Sequence, residues 1–354
     1  MAAKDFGSQL VLLFPACPVY YYALCRVMEM ETVMLNLKGV LREEQLHINA
    51  VLEKEIKALP EAARAVACHT LSAGGKRLRP LLSVYMGRLF GCEHPDILAM
   101  AAAIEFVHVA SLIHDDVLDN ATTRRGVVAA HTVYTPTVAI LSGDVMLAHA
   151  AGLVSKIGNT HISVQFAEAV TKTAVGEIEE FNHLGNAYLS NDDYLAIITG
   201  KTAWNLRVAC EMPAYYAGAS EEQVKAAATF GLELGIAFQI VDDALDIAPS
   251  EDTGKPSGGD LRERKCTPLI RFYMDTLSEH EARIFAEKFA TGSFSDAELD
   301  AIVRTMRTLG LDQKTRDLAT PHLDRAKEAL ALLPAGKERD VLTLVPDFVK
   351  KRGN

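Results

Sequence analysis

Residues 105–120 read EFVHVASLIHDDVLDN, and this stretch decides the fold class of the chain. Apolar residues run from Phe106 to Ile113 with little alternation, and Asp115, Asp116 and Asp119 close the run. Upstream the apolar character continues to about residue 95, which is too long for a strand and suits a buried helix. On a helix, positions i and i+4 share a face and i+1 lies beside them. The spacing therefore predicts two or three carboxylates aimed at one point. A second stretch, FQIVDDALD at 238–246, repeats the pattern with Asp242, Asp243 and Asp246. At ~6% abundance per charged residue type, one such triplet arises by chance ~0.1 times in a chain of this size. Two copies call for a chemical cause.

Both triplets lie inside apolar segments, where unpaired carboxylates must protonate or stay solvated. A hard divalent cation resolves the conflict. Mg²⁺ takes oxygen ligands, keeps several waters and joins one or two carboxylates to substrate phosphates. Basic residues complement the acids. Gly74-Gly75-Lys76-Arg77-Leu78-Arg79-Pro80 is a glycine turn followed by three cations, with Lys76 and Arg79 expected on one helix-like face. Arg124-Arg125 follows the first triplet and closes on Gly126, while Lys201, Lys255 and Lys265 add further positive charge. Arginine forks suit phosphate oxygens bidentately and lysine serves as a point charge. Acids to hold metal and cations to hold phosphate together describe a diphosphate site.

Outward from these motifs the pattern stays helical. Long Ala- and Leu-rich segments recur around 95–119, 137–156, 221–247 and 311–333, and no hairpin dipeptide separates alternating runs. This predicts one large all-α bundle whose loops gather functional residues at helix ends. The formal charge of −10 argues against nucleic acid as a partner. Six cysteines without a CxxC pair read as reduced and cytoplasmic. Residues 1–33 are set apart as an atypical extension: Leu10–Cys25 is apolar but broken by Pro15 and Pro18, and shorter than the ~20 residues of a spanning helix. The extension reads either as sequence upstream of a start near Met34 or as a membrane-touching or targeting appendage, with the functional domain over 34–354.

The order of motifs resembles the trans-isoprenyl diphosphate synthases of the polyprenyl synthetase family: GGKRLRP, then HDDVLDNATTRRG, GD at 143–144, GE at 176–177, GKTA at 200–203, FQIVDDALD, and GKPSGGDLRERK at 254–265. The likeness is strongest to bacterial long-chain, octaprenyl-type synthases. It implies an all-α isoprenoid-synthase bundle with a central cavity, acting as a Mg²⁺-dependent prenyltransferase on isopentenyl diphosphate and an allylic diphosphate. By that resemblance Asp115, Asp116, Asp119 and Asp242 hold the metal, and Asp243 and Asp246 contribute directly or through water. Arg124, Lys201 and Lys265 hold the allylic diphosphate; Lys76, Arg79, His108 and Arg125 hold that of isopentenyl diphosphate, and Lys255 is a further substrate-binding residue. Lys201, Thr202 and Gln239 place dipoles near the forming allylic cation.

Ala110 and Ser111 belong to the floor under the growing chain, and their small size predicts a long, octaprenyl-like product for quinone synthesis. The resemblance further implies a homodimer and a transient membrane contact for product delivery. Val127-Val128-Ala129-Ala130-His131 departs from the usual GKPTxH-like continuation, which leaves loop geometry open. The competing readings are a geranylgeranyl or farnesyl diphosphate synthase, a class I terpene cyclase, and a non-catalytic subunit.

Overall fold

A computed structural model describes residues 42–249 and 257–352. Lys255 and the extension 1–33 lie outside the described residues. The chain divides at Leu46/His47. The described part of the first unit, 42–46, is helical, and everything below belongs to the second unit, His47–Asn354.

The expected all-α bundle is what forms. Its helices are α1 (47–58 within this unit), α2 (Glu61–Ser72), α3 (Leu78–Leu89), α4 (Pro95–Leu118), α5 (Ala130–Tyr134), α6 (Pro136–Lys156), α7 (Thr160–Asn182), α8 (Asn191–Ile198), α9 (Trp204–Tyr216) and α10 (Glu221–Ala244). Then follow α11 (Gly259–Glu263), α12 (Pro268–Met274), α13 (Glu279–Thr291), α14 (Asp296–Thr308), α15 (Leu311–Asp317), α16 (Thr320–Ala331) and α17 (Lys337–Lys350).

α4 packs on α3 and α6, and α10 packs on α9 and α16. Phe106, Met100 and Ile104 of α4 and Phe230 and Leu234 of α10 are fully buried. Burying such side chains contributes about 1.5–3 kcal/mol each, and it explains why both helices are apolar nearly all round. α10 starts at a capping box: Ser220 Oγ accepts from the Gln223 amide at 3.3 Å and Gln223 Oε1 accepts from the Ser220 amide at 3.0 Å. α4 and α10 each run for 24 residues and end in an aspartate triplet.

Two expectations need correction. The segment 311–333 is not one helix. α15 ends at Asp317 and α16 restarts at Thr320, because Pro321 lacks an N–H and fits only a first turn. A hairpin also exists: Thr123–Arg124 pairs antiparallel with Val127–Val128. Its central residues, Arg125 and Gly126, both take positive φ, 52° and 77°. This is the pattern of a tight turn matched to strand twist. Arg-Gly lacks the usual Asn-Gly signal, so the ribbon is not visible in the sequence.

Candidate active site

The first triplet sits where α4 ends. Asp116 is 2% exposed and points inward, where Arg124 donates to its Oδ1 from Nε at 2.7 Å and from a terminal nitrogen at 2.5 Å. Asp119 caps the helix and accepts from Lys265 Nζ at 3.2 Å. The Asp115 carboxylate finds no hydrogen bond or ion pair among the described residues. Burial pushes its carboxyl up to about 7; nearby Lys201 opposes the rise, and Glu177 and Asp119 add to it.

The second triplet repeats the division of labour. Asp243, 8% exposed, receives the Tyr194 hydroxyl on Oδ2 at 2.5 Å and the Gln239 amide on Oδ1 at 2.7 Å. Burial raises it to about 7 while these two donors pull the other way. Asp242 faces outward and pairs with Arg352 at 2.9 Å. Asp246 Oδ1 accepts the Asp260 backbone amide at 3.2 Å.

The convergence expected within each triplet is therefore not formed. The middle aspartate of each is turned into the protein and held by protein donors. Among the described residues, no three His, Cys, Asp or Glu side chains gather at one metal-ligating point. The donor set still fits a hard cation. It is all oxygen, and Asp115 is an unpaired, partly buried carboxylate beside Glu177 and Asp119, an acidic excess that a divalent ion relieves.

Lys201 is presented by an unusual backbone. Thr199–Ala203 forms one π turn between α8 and α9, a feature that often marks functional positions. It is wedged between two helices that approach almost to backbone contact. A Cβ on Gly176 of α7 would lie 2.3 Å from the Lys201 nitrogen, and one on Gly235 of α10 would lie 2.5 Å from Ala203 Cα. Lys201 Nζ reaches Glu180 at 2.6 Å and Glu177 at 2.9 Å. Burial works against this ammonium, but Glu180 and Glu177 prevail and hold it well above its ordinary value. Lys265 links Asp119, Glu263 and Glu180, and is raised despite burial and the repulsion of Lys201. Thr202 donates to Gln239 Oε1 at 2.7 Å. A cavity of about 100 Å³ is lined by Lys201, Lys265, Gln239, Asp243, Tyr194 and Asp260, among others.

A second basic cluster gathers around the glycine turn. Arg77, not singled out from the sequence, is its anchor. It adopts left-handed φ of 49°, pairs with buried Glu105 at 2.8 Å, and donates to Asn49 and the Leu71 carbonyl. α3 begins only at Leu78, so Lys76 stands in the loop and does not share a helical face with Arg79. Lys76 lies 4.9 Å over the Phe348 ring, and burial lowers its pKa, with Arg352 adding to the effect. Arg79 has a buried Nε without a partner among the described residues, and burial lowers its pKa to about 10. Arg125 donates to the Gly74 carbonyl. His108 is held well below its usual pKa, first by burial and then by Arg79 and Arg125, and so is neutral.

Ala110 is fully buried, and Ser111 turns its hydroxyl back to the His108 carbonyl at 2.9 Å. Tyr194 and Arg352 are the further residues that sequence reading missed. Each lies far along the chain from the aspartate it holds, and no local pattern marks it.

The chain as a whole matches known proteins. Residues 60–306 match the sequence profile of the polyprenyl synthetase family. The chain is 29% identical to octaprenyl diphosphate synthase of Escherichia coli K12 over 301 residues, covering 85% of this chain and 93% of that one. It is 28% identical to geranylgeranyl diphosphate synthase of Methanosarcina mazei, over 90% of this chain and 99% of that one. Among solved structures, the polyprenyl synthase of Caulobacter crescentus CB15 complexed with calcium and isoprenyl diphosphate superposes with a TM-score of 0.85 at 33% identity, covering 90% of this chain and 97% of that one. The chain belongs to the polyprenyl synthetase family, whose members are prenyltransferases that make isoprenyl diphosphates.

Proposed function

We propose that this chain is an all-trans polyprenyl diphosphate synthase that condenses isopentenyl diphosphate head-to-tail with an allylic diphosphate, uses Mg²⁺, and makes a long-chain product. The observation that carries the two-substrate reading is the second basic cluster. Arg79 and Arg125 flank a neutral histidine and Lys76 extends from the same glycine turn, while the nearby acids are already engaged, Glu105 by Arg77 and Asp242 by Arg352. Cations in that state call for an anion from outside. A terpene cyclase, which takes one diphosphate, gives no reason for the cluster.

The chemistry follows from charge. Lys201, Lys265 and Arg124 would hold the allylic diphosphate; Asp115, Asp119 and Asp242 would hold the metal. When bound, Mg²⁺ supplies positive charge that stabilises the departing diphosphate. The allylic C–O bond ionises, and Thr202 and Gln239 offer oxygen dipoles to the cation. The double bond of isopentenyl diphosphate, held by Lys76, Arg79 and Arg125 with His108 as a neutral hydrogen-bonding group, attacks that carbon. The released diphosphate takes the proton. Asp116 and Asp243 act through the protein donors they hold.

Small Ala110 and Ser111 support a long product. One observation favours a second reading: Phe106 lies one turn before Ala110 on the same face of α4, fully buried, its ring centroid 5.4 Å from His149. Such bulk would stop growth near geranylgeranyl. Incubating the protein with Mg²⁺, farnesyl diphosphate and labelled isopentenyl diphosphate, then sizing the dephosphorylated products, decides both points. A ladder well beyond geranylgeraniol supports the long-chain reading, and a stop there assigns the floor to Phe106. No incorporation with any allylic primer overturns the synthase assignment.

α6 and α7 are neighbours and carry exposed apolar side chains, including Ile140, Leu141, Val164, Val175, Ile178 and Phe181. This supports a homodimer through these helices.

A further inference from the structure

The chemistry above leaves Tyr194 without a task. It sits on the first turn of α8, 5% exposed, and its hydroxyl donates to Asp243 Oδ2 at 2.5 Å. The ring alone would fill the space, so the hydroxyl is there for what it touches. Asp243 Oδ1 accepts from Gln239 Nε2 at 2.7 Å, and Gln239 Oε1 accepts from Thr202 Oγ1 at 2.7 Å. The four side chains form one continuous line from α8 through α10 to the π turn.

The direction of each bond is fixed by what each group can give. A carboxylate only accepts, so Gln239 must turn its NH₂ toward Asp243 and its carbonyl toward Thr202. The Thr202 hydroxyl then gives its proton to that carbonyl. Its lone pairs are what remain for a ligand beside Lys201 and Gln239, the neighbours of Thr202 that line the cavity. If Gln239 turned over, Thr202 would face an NH₂ and would have to accept, leaving its proton directed at the ligand. For a developing carbocation the first arrangement attracts and the second repels. Without the Tyr194 hydroxyl the Asp243 carboxylate loses one of the two donors that fix its position, and the Gln239 amide it anchors is no longer held in one place.

We infer that Tyr194 is a positioning residue for the prenyl transfer: through Asp243 it fixes Gln239, and so keeps the Thr202 oxygen, not its proton, turned toward the allylic carbon. This rests on the function proposed above. It gives Asp243 the role of a clamp inside the protein, distinct from the metal-holding role of Asp115, Asp119 and Asp242.

The test is a double-mutant cycle on the full chain, assayed with Mg²⁺, farnesyl diphosphate and isopentenyl diphosphate. Tyr194→Phe removes the hydroxyl and keeps the ring. It should leave the helical spectrum unchanged, lower kcat about tenfold, and leave KM for isopentenyl diphosphate within about twofold. Thr202→Val should lower kcat by at least as much. In the Thr202→Val background, Tyr194→Phe should cost nothing further, because the line it controls has lost its end. Gln239→Leu breaks the same line with Tyr194 intact and should show the same non-additivity, which keeps the test alive if Tyr194→Phe folds poorly. Effects that multiply, or a loss carried by KM for isopentenyl diphosphate, overturn the inference. A wild-type protein that elongates no primer instead overturns the synthase reading, and the role assigned to Tyr194 falls with it.

Discussion

Each DDxxD triplet contains aspartates in two different chemical situations. Asp116 and Asp243 are buried against Arg124 and against Tyr194 and Gln239, whereas the Asp115 carboxylate has no hydrogen bond among the described residues, Asp119 pairs with Lys265 and Asp242 with Arg352. Asp115→Asn and Asp242→Asn should each reduce turnover at least about 100-fold, by analogy with the loss of a single electrostatic group in other sites. The helical circular-dichroism spectrum should stay intact, and retained activity would remove these residues from the metal-holding set. The buried carboxyls also predict a pH dependence. Asp115 and Asp243 sit near 7 in the folded protein, against roughly 3.9 unfolded. Between those values the folded state binds more protons than the unfolded state, so stability falls as pH rises from about 4 to 7 and levels off above. Thermal melting in chelator should show that decline, and Asp115→Asn should flatten part of it. Added Mg²⁺ should raise the melting temperature more at pH 8 than at pH 5.5, since the metal competes with the proton. An unchanged slope in the variant would place the titration elsewhere.

The π turn at Thr199–Ala203 is the element on which the site depends, because it sets where Lys201 and Thr202 project. Its position is enforced by close approach, not by hydrogen bonding alone. Gly176→Ala would put a Cβ 2.3 Å from the Lys201 nitrogen, where only backbone could yield. It should destabilise by about 1–3 kcal/mol and lower kcat as Lys201 shifts. Gly152→Ala on α6, where a Cβ meets nothing within 4 Å, should instead stabilise by about 0.5–1 kcal/mol. Equal responses would mean the π turn tolerates separation from α7. On α4, Ala110→Phe should shorten the longest product of the elongation assay by several isoprene units if that residue lies beside the growing chain; an unchanged ladder would put the floor elsewhere. These elements also show what could be read from the sequence. The aspartate triplets, the glycine turn and the helices bearing them were legible because their signals are local, within one turn or one apolar run. Tyr194 was not, since its partner lies 49 residues away. Nor was the inward role of Arg77, which depends on a left-handed backbone and on Glu105 and Asn49 arriving from other helices. The break at Pro321 was legible in principle, and the apolar periodicity of 311–333 outweighed it.

For the molecule as a whole, charge and apolar surface are distributed in opposite senses. The net charge of −10 coexists with local cations, Lys201 and Lys265 at the cavity and Lys76, Arg79 and Arg125 around the glycine turn, so an anionic substrate would be drawn by local field against a repelling surround. Binding should therefore weaken with added salt chiefly at the site and little through long-range steering. The apolar surface behaves differently. Leu141 and Ile178 are each 57% exposed and Phe181 is 64% exposed, on adjacent α6 and α7. Side chains of this size left in water forgo roughly 1.5–3 kcal/mol each, which is recovered if a second copy covers them. The face of α7 that bears Glu177 and Glu180 toward Lys201 is engaged inside the protomer, so self-association through the exposed side that carries Val175 and Ile178 would brace the helix that holds Lys201. Sedimentation equilibrium should accordingly report a dimer for the full chain. Leu141→Asp, which places charge on that surface without touching any core residue, should shift the equilibrium to monomer at micromolar concentration. A wild-type monomer, or a variant that dimerises as well as the parent, would assign the exposed stripe to another partner.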